Sequence, residues 1–356
     1  MTDEVLLEAS GPLGLITLNR PHALNALTLG MIRAIDPQLR AWAADPSIRA
    51  VVMRAAGNRA FCAGGDLRDL YDMGPEAARR LTGQPDQDFF RHEYLLNWRI
   101  HHFPKPYVAL IDGVVMGGGV GLAVHGSHRL AGERILFAMP ECGIGFFPDV
   151  GGGWFLPRCP GALGRYLALT GARLGLADAR YAGIATHHVP GDRMAALIDD
   201  LADADWSGDP GAVVDRMLAT YAGDAGPAPL AEARAAIDRV FDADSVEAIR
   251  DGLAGIDEAW ADDALHALDG KSPTSLKVAL RQLRHGQSMD YDSCVIMEYR
   301  LAHAFLAAHD FFEGIRAVVV DKDRTPRWWP ADLAHVADQA VDRYFAPLGD
   351  RDLVLA

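Results

Sequence analysis

The pattern that most constrains the fold is a buried strand followed by a glycine-rich loop and a helix, which occurs twice. The apolar run Tyr107–Ile111 predicts a strand, and a glycine triplet at 117–119 then leads into an apolar helical stretch at 120–124. The run Ala50–Ala55 predicts an earlier strand, which leads into the loop GNRAFCAGGD at 57–66 and a second helix. This repetition predicts an α/β fold with parallel or spirally arranged strands and a site at the strand ends.

The two glycine loops suggest a site that binds a carbonyl oxygen. Glycine lets the backbone approach a ligand closely, and the start of a helix offers N–H groups without intrahelical partners. If each loop donates one N–H to the same oxygen, losing one donor costs roughly 3–4 kcal/mol of transition-state stabilisation. Two carboxylates, Glu141 and Asp149, follow among glycines, prolines and aromatic residues. Read alone, the triplet is equally well explained as a tight packing corner.

The segments on either side of these loops carry weaker signals. Two short apolar runs around Gly11-Pro12 predict a β-hairpin, and a helix with apolar residues at helical spacing follows, interrupted or restarted at Pro37. Residues 74–87 are polar and predict a mobile surface segment, whereas residues 89–100 predict a helix. Glu93 lies in the middle of that helix, and from spacing alone it is interpreted as a solvated carboxylate. Residues 195–268 form an acidic block with helical periodicity, interpreted as a scaffold.

Composition excludes several classes of function. The formal net charge of -14 argues against a nucleic-acid binder, and no apolar run approaches the length of a membrane span. Phosphate-binding and dinucleotide motifs are not found after the first strand, and neither the histidines nor the four cysteines have metal-ligand spacing, so no cofactor or metal is expected. The cysteines are interpreted as small core thiols in a reduced, cytoplasmic protein. Since the chain has only four lysines, an anionic ligand is expected to meet arginine or backbone N–H groups.

These residues resemble the crotonase (enoyl-CoA hydratase/isomerase) superfamily and, within it, most closely the branch that hydrolyses 3-hydroxyisobutyryl-CoA. AFCAGGD at 60–66 marks the superfamily, while PECGIGFFPDVGGG at 140–153 and HDFFEGIRAVVVDKD at 309–323 are more specific to the hydrolase branch. The resemblance covers most of the chain and is weak at 195–268. It implies a spiral of ββα repeats at 1–195, with CoA and the active site, followed by a C-terminal helical region and packed tail at 196–356.

The resemblance also implies roles for individual residues. The backbone N–H groups of Gly65 and Gly118 would form the oxyanion hole, Glu141 would be the reactive carboxylate, and Asp149 would position water or the substrate hydroxyl. Glu93 matches a substrate-contact glutamate of the hydrolases, which replaces the solvated interpretation. Gly121 stands where the hydratases carry their first glutamate, and this departure disfavours water addition to a C=C bond.

The implied reaction is hydrolysis of a short β-hydroxyacyl-CoA thioester, in which Glu141 is either the nucleophile or the general base. CoA is then part of the substrate, and it would lie across the loops at 20–24 and 63–67. Arg20 and Arg68 are candidates for its phosphates. The residues expected to bind CoA are Arg20, Ala23, Ala63, Gly64, Asp66 and Leu67. A homo-oligomer is compatible with the resemblance, although the long C-terminal part would be able to cover the surface used for it.

Two other functions are compatible with the sequence. The first is an enoyl-CoA hydratase or isomerase, against which Gly121 and Asp149 argue. The second is an acyl-CoA-binding protein without turnover, against which the intact Glu141 and both glycine loops argue. Sequence does not separate 3-hydroxyisobutyryl-CoA from 3-hydroxypropionyl-CoA as substrate, because one methyl group in an apolar pocket is worth only about 1–3 kcal/mol.

Overall fold

The computed structural model describes residues 3–81, 84 and 86–355, and these divide into two compact units. The first unit contains the described parts of 1–65, 95–137 and 173–231, and the second those of 66–94, 138–172 and 232–356. Both units are therefore built from discontinuous segments. The division predicted near residue 195 is a boundary in sequence and stays a prediction.

Two sheets form the first unit. A six-stranded sheet has the order β1-β2-β3-β5-β7-β9, in which the β1–β2 hairpin is antiparallel and the remaining pairs are parallel, and a three-stranded sheet has the order β4-β6-β8. The predicted hairpin and both predicted buried strands are confirmed. The strands are β1 Val5–Ser10, β2 Leu13–Leu18, β3 Ala50–Ala55, β4 Ala60–Cys62, β5 Tyr107–Ile111, β6 Val114–Met116, β7 His128–Ala131, β8 Leu136–Ala138 and β9 His187–His188.

The chain alternates between the two sheets in a repeating pattern. A strand of the large sheet is followed by one of the small sheet in β3–β4, β5–β6 and β7–β8, and the first two of these pairs lead into a helix. This is the expected spiral of ββα repeats. Strands β1, β3, β5 and β7 each end in a glycine-containing turn because the chain must turn sharply into the next strand, and a positive φ at Gly57 and Gly113 favours glycine there.

The helices of the first unit cover the large sheet. Apolar residues of β2, β3, β5 and β7 pack against α8 and α9, with Trp206 and Tyr221 completing this core. In chain order the helices up to residue 221 are α1 Leu29–Ala44, α2 Leu67–Leu81, α3 Phe89–His101, α4 Gly118–Val124, α5 Gly152–Phe155, α6 Leu163–Thr170, α7 Leu176–Tyr181, α8 Met194–Ala202 and α9 Pro210–Tyr221.

The second unit is predominantly helical, and an aromatic cluster forms part of its core. Phe146 stacks on Phe90 with ring centroids 5.3 Å apart, and it contacts Phe147, Phe305 and Phe311 at 4.6–5.5 Å. The remaining helices are α10 Leu230–Phe241, α11 Val246–Ala254, α12 Ala259–Asp269, α13 Pro273–Gly286, α14 Tyr291–Leu306, α15 His309–Ile315 and α16 Asp338–Tyr344, with a π-helical turn at Arg316–Val320.

Two local predictions need correction. Pro37 neither ends nor restarts α1, which runs through it. Proline has no N–H to donate to the Arg33 carbonyl, and both residues are exposed, so the missing bond falls on the solvent face of the helix. The predicted mobile segment at 74–87 is largely helical, because α2 continues to Leu81 across a kink at Gly74 (φ 74°, ψ 162°). Positions 82, 83 and 85 of that segment lie outside the described residues. In the described part of the chain, the helices are too short or too polar to cross a membrane.

Candidate active site

The two glycine loops of the first unit lie against each other. Gly64 has a φ of +111°, and a side chain there would meet the carbonyl oxygen of Met116 at 3.3 Å and the backbone nitrogen of Gly118 at 3.8 Å. Gly118 is the first residue of α4, so its N–H lies among those that have no intrahelical acceptor. Gly65 pairs with Leu27 in an isolated parallel bridge. Sequence pattern and structure therefore agree that Gly65 and Gly118 belong to neighbouring loops, as two donors to one oxygen require.

The loop at 20–27 is joined to the first glycine loop by an internal hydrogen-bond network. The Asn25 side chain accepts a bond from the Arg20 backbone N–H at 2.8 Å and donates to the carbonyls of Ala56 and Ala60 at 3.1 and 3.0 Å. The Ala63 N–H donates to Leu24 at 3.1 Å. A cavity of about 300 Å³ borders this network, lined by residues 21, 22, 24, 25 and 56–60. The predicted CoA-binding residues Ala23, Ala63 and Gly64 lie in these loops.

The two arginines proposed for the CoA phosphates differ in their surroundings. The Arg20 side chain is 12% exposed, forms an ion pair with Glu4 at 3.0 Å and donates to the Ala26 carbonyl at 2.7 Å. Arg68 directly follows Asp66 and Leu67 in the chain, and its side chain is 58% exposed. Its Nε lies 3.8 Å from a carboxylate oxygen of Asp72, one turn further along α2. Arg20 therefore holds the loop from within, whereas Arg68 presents its charge to solvent.

The second unit gathers the three predicted carboxylates into one buried cluster. Glu93, Glu141 and Asp149 are 2%, 5% and 5% exposed. Glu93 comes from α3, Glu141 opens a short 3-10 helix at Glu141–Ile144, and Asp149 lies in the loop before α5. The interpretation of Glu93 as a solvated carboxylate is wrong, because it occupies the apolar face of α3 together with Phe90 and Tyr94.

Burial raises the pKa of every member of this cluster, and repulsion by neighbouring carboxylates adds to the rise at Glu93 and Glu141. Desolvation, then the charges of Asp149 and Glu141, raise the pKa of Glu93 well above its usual value. Desolvation, then Asp149, raise the pKa of Glu141, while Lys271 counteracts them. Desolvation raises the pKa of Asp149 to about 7, against a hydrogen bond from the Tyr94 hydroxyl at 2.9 Å. The cluster therefore holds its carboxyl protons to higher pH than exposed carboxyls do, and Asp149 exchanges its proton near neutral pH, as a group with acid and base roles requires.

Two carboxylate oxygens of the cluster are positioned for an added ligand. Within the described part of the chain, Glu93 Oε1 and Glu141 Oε2 are buried and have no hydrogen-bond partner. A buried polar atom without a partner is costly, so native structures keep one where water or a ligand supplies the bond. Sequence reasoning did not identify Tyr94 and Lys271, which act on Asp149 and Glu141. A cysteine nucleophile is disfavoured, because the four cysteines are free and buried and burial raises the pKa of the Cys142 thiol to about 12.

A stability measurement tests the raised pKa of Asp149. Between about pH 4 and about pH 7 the folded protein holds a proton on Asp149 that the unfolded chain has released. The stabilisation from that proton is complete below this range and is lost as pH rises through about 7. Asp149→Asn keeps an acceptor for the Tyr94 hydroxyl but removes the charge. The difference in free energy of unfolding, variant minus wild type, should therefore rise by roughly 2 kcal/mol between pH 5 and pH 8.

Denaturant unfolding at pH 5, 7 and 8 measures this difference. Asp352→Asn is the matched control, because Arg300 binds the Asp352 carboxylate through two contacts of 2.8 Å and lowers its pKa. That variant should be less stable than the wild type by the same amount at all three pH values. A pH-independent difference for Asp149→Asn would show that Asp149 is ionised throughout the range.

The chain is similar in sequence to a known family and to named relatives over nearly its whole length. A family model described as enoyl-CoA hydratase/isomerase matches residues 13–345. The chain is 50% identical to 3-hydroxyisobutyryl-CoA hydrolase, mitochondrial, from Xenopus tropicalis, over 99% of this chain and 91% of that protein. It is 46% identical to the protein of the same name from Homo sapiens, over 99% and 90%. The predicted cytoplasmic location is contradicted by the word mitochondrial in these names. The cysteines on which that prediction rested are free and buried, which does not identify a compartment.

Solved structures support the fold over the whole chain. A carnitinyl-CoA dehydratase from Mycobacterium thermoresistibile is 40% identical, with a TM-score of 0.90 and 99% of both chains covered. An enoyl-CoA hydratase from Rhodobacter sphaeroides 2.4.1 is 41% identical, with a TM-score of 0.90, over 99% of this chain and 100% of that one. The curated relatives thus carry a hydrolase name and these two structures carry dehydratase and hydratase names.

Proposed function

The chain belongs to the enoyl-CoA hydratase/isomerase family, and from this premise we propose that it hydrolyses 3-hydroxyisobutyryl-CoA, or a close short β-hydroxyacyl-CoA, to the free acid and CoA. The observation that carries the proposal is the buried cluster of Glu93, Glu141 and Asp149, combined with glycine at position 121. A hydrolase needs a nucleophile or base and a proton donor beside the thioester carbonyl. The cluster supplies both kinds of group.

The reaction follows from the roles of these groups. The N–H groups of Gly65 and Gly118 polarise the thioester carbonyl and stabilise the oxyanion. Either a Glu141 oxygen attacks the carbonyl carbon and gives a mixed anhydride, or Glu141 takes a proton from water that attacks. The C–S bond breaks, and the CoA thiolate leaves and takes up a proton. In the anhydride route, water then releases the acid and restores the Glu141 carboxylate.

The other two carboxyls suit a β-hydroxyacyl substrate. Glu93 Oε1 offers an acceptor to the substrate hydroxyl, and Asp149, with a pKa raised to about 7 by burial, is able to exchange a proton with water near neutral pH. The substrate has the branched carbon skeleton that remains of valine once its carboxyl is lost, and so we propose a place in valine degradation. We also propose that the reaction needs no cofactor, since CoA enters as part of the substrate.

CoA binding is proposed at the loops 20–24 and 63–67. The cavity of about 300 Å³ lined by residues 21, 22, 24, 25 and 56–60 would offer backbone groups to the adenine, and Arg59 in its lining adds a cation. Arg68 is the stronger candidate for a phosphate contact because it is exposed, while Arg20 holds the loop. Ala23, Ala63, Gly64, Asp66 and Leu67 complete the proposed CoA surface. A homo-oligomer stays a prediction from the resemblance.

Thiol release distinguishes this function from its competitors. The purified protein is mixed with 3-hydroxyisobutyryl-CoA and a chromogenic thiol reagent, with crotonyl-CoA absorbance followed in parallel and a sample without substrate correcting for protein cysteines. We expect thiol release at about 1–1,000 per second, typical of enzymes, and unchanged crotonyl absorbance. The two solved structures carry hydratase and dehydratase names, so water addition to the C=C bond of crotonyl-CoA is the main competing reaction.

The other outcomes each select a different function. Loss of crotonyl absorbance without free CoA identifies a hydratase that works without a carboxylate at position 121. Tight binding of the CoA ester with neither reaction identifies a binding protein without turnover. Either result contradicts the proposed hydrolysis.

A further inference from the structure

The loop that carries Asp149 has a strained backbone. Val150 has a φ of +50° and Gly151 a φ of +85°, so two successive residues are left-handed. Valine is branched at Cβ and strongly disfavours this conformation. The loop closes on itself through a hydrogen bond from the Gly152 N–H to the Asp149 carbonyl at 2.8 Å. Surrounding groups must hold such a conformation, and strained backbone of this kind is concentrated at functional sites.

Two fully buried side chains, neither used by the proposed mechanism, hold this loop. Glu298 on α14 accepts the Gly151 N–H on Oε2 and the Gly153 N–H on Oε1, both at 2.7 Å. Gln282 on α13 donates its amide to the Pro148 carbonyl at 2.7 Å and to Glu298 Oε1 at 3.1 Å. Both side chains are 0% exposed. These hydrogen bonds therefore hold the backbone before Asp149, at Pro148, and after it, at Gly151 and Gly153.

The fit around this pair is close. A side chain at Gly153 would meet Glu298 Oε1 at 3.1 Å and the Gln282 amide nitrogen at 3.2 Å, and one at Gly286 would overlap the Gly153 carbonyl oxygen at 1.7 Å. Glycine at both positions lets α13 and the loop approach. Three N–H donors converge on Glu298, which matches a carboxylate, although burial raises its pKa to about 8. The buried Glu298 carboxylate thus binds the backbone of the loop that carries Asp149.

We propose that Glu298 and Gln282 are positioning residues that fix the Asp149 carboxyl for thioester hydrolysis by holding the backbone before and after it. The proposal rests on the proposed function for its kinetic consequence, but its structural part does not depend on the substrate. Removing one acceptor or donor would release Val150 towards ordinary dihedral angles and displace Asp149. Displacements of about 1 Å at a reacting centre cost as much as 100-fold in rate.

The first test replaces Glu298 by Gln, which keeps the shape but turns one acceptor oxygen into a donor that faces a backbone N–H. We expect kcat for thiol release to fall about 10- to 100-fold while KM changes less than about 3-fold. Gln282→Leu, which loses the bond to Pro148, should act in the same direction. Glu232→Gln, an exposed glutamate of α10, is the matched control and should leave both constants unchanged.

Non-additivity separates positioning from a general structural role. If Glu298 acts through Asp149, Glu298→Gln should lower the residual rate of an Asp149→Asn protein by less than about 3-fold. The same fold-loss in both backgrounds would overturn the proposal, as would wild-type kcat in Glu298→Gln. A merely destabilised protein would lose active molecules equally in both backgrounds.

A measurement without substrate keeps this proposal separate from the proposed function. Hydrogen exchange of the peptide that contains Gly151 and Gly153 should be at least about 10-fold faster in Glu298→Gln than in the wild type and in Glu232→Gln. If the wild type releases no thiol but the loop exchanges faster in Glu298→Gln, the proposed hydrolysis is wrong and the holding of the loop by Glu298 is supported. Unchanged exchange in Glu298→Gln would overturn the positioning role of Glu298, whatever the activity.

Discussion

Glu141→Gln is expected to lower thiol release from 3-hydroxyisobutyryl-CoA by at least about 1,000-fold while the CoA ester binds with nearly wild-type affinity. The change removes one charge and keeps the shape of a side chain that is 5% exposed. An amide is neither a nucleophile that forms an anhydride nor a base for water at neutral pH. The groups proposed to bind CoA are unaffected, so the loss should appear in kcat and leave the dissociation constant within a few-fold.

The measurement is a pair of experiments on the same protein preparation. Thiol release gives kcat, and titration with the CoA ester under conditions of no turnover gives the dissociation constant. Glu8→Gln, on an exposed position of β1, controls for the substitution itself and should keep the wild-type rate. Retained activity in Glu141→Gln would remove Glu141 from the chemistry and move the reactive role to Asp149 or Glu93.

The pH dependence of the wild type complements this result. Burial raises the pKa values of Glu93, Glu141 and Asp149, and the charge of Asp149 adds to the rise at both glutamates, so the three titrations are linked. Its ionised member supplies the nucleophile or base, and a protonated member supplies the acid. The charge of Lys271 counteracts the rise in the pKa of Glu141, whereas both neighbouring carboxylates add to the rise at Glu93, so of the two glutamates Glu141 is the one favoured to ionise.

Local sequence patterns were sufficient to predict strands β1, β2, β3 and β5 and the two glycine loops. Tyr107–Ile111 is completely buried, and an unbroken apolar run of that length has few alternatives to a central strand. The turn into α4 follows from the glycine triplet, since Gly117 has a φ of 47°. Parallel pairing then follows from the order of strands and helices along the chain. The discontinuous units were not predictable, because sequence spacing carries no information on which distant segments return.

The carboxyl cluster was only partly predictable because its members lie on different elements. Glu141 and Asp149 stand in a glycine-rich loop where a functional role is the natural interpretation. Glu93 and Glu298 lie within helices, where a carboxylate is usually solvated, and both are buried instead. A usable signal existed for Glu298, which falls at helical spacing between Val295 and Leu301, on the apolar face of α14.

Gly119→Ala is expected to lower thiol release by about 100- to 1,000-fold, because one methyl group at this position separates the two glycine loops. A Cβ on Gly119 would lie 2.2 Å from the Cys62 carbonyl oxygen and 2.7 Å from its Cβ, so backbone must move. Gly119 follows Gly118 in the first turn of α4, and Cys62 ends the strand that leads to Gly65. Moving either segment misaligns one of the two proposed N–H donors, which costs about 3–4 kcal/mol in the transition state.

Binding and stability measurements show whether the loss arises from that donor. Gly175→Ala is the matched control: Gly175 has a φ of -82° and nothing within 4 Å of an added Cβ, so the same substitution should leave kcat unchanged. Affinity for CoA itself, which has no acyl carbonyl, should stay within a few-fold of the wild type in Gly119→Ala, and the melting temperature shows how much protein remains folded. Wild-type kcat in a folded Gly119→Ala protein would mean that the loops around Gly65 and Gly118 serve only packing, since a shift forced on their backbone would then leave the stabilisation of the oxyanion untouched.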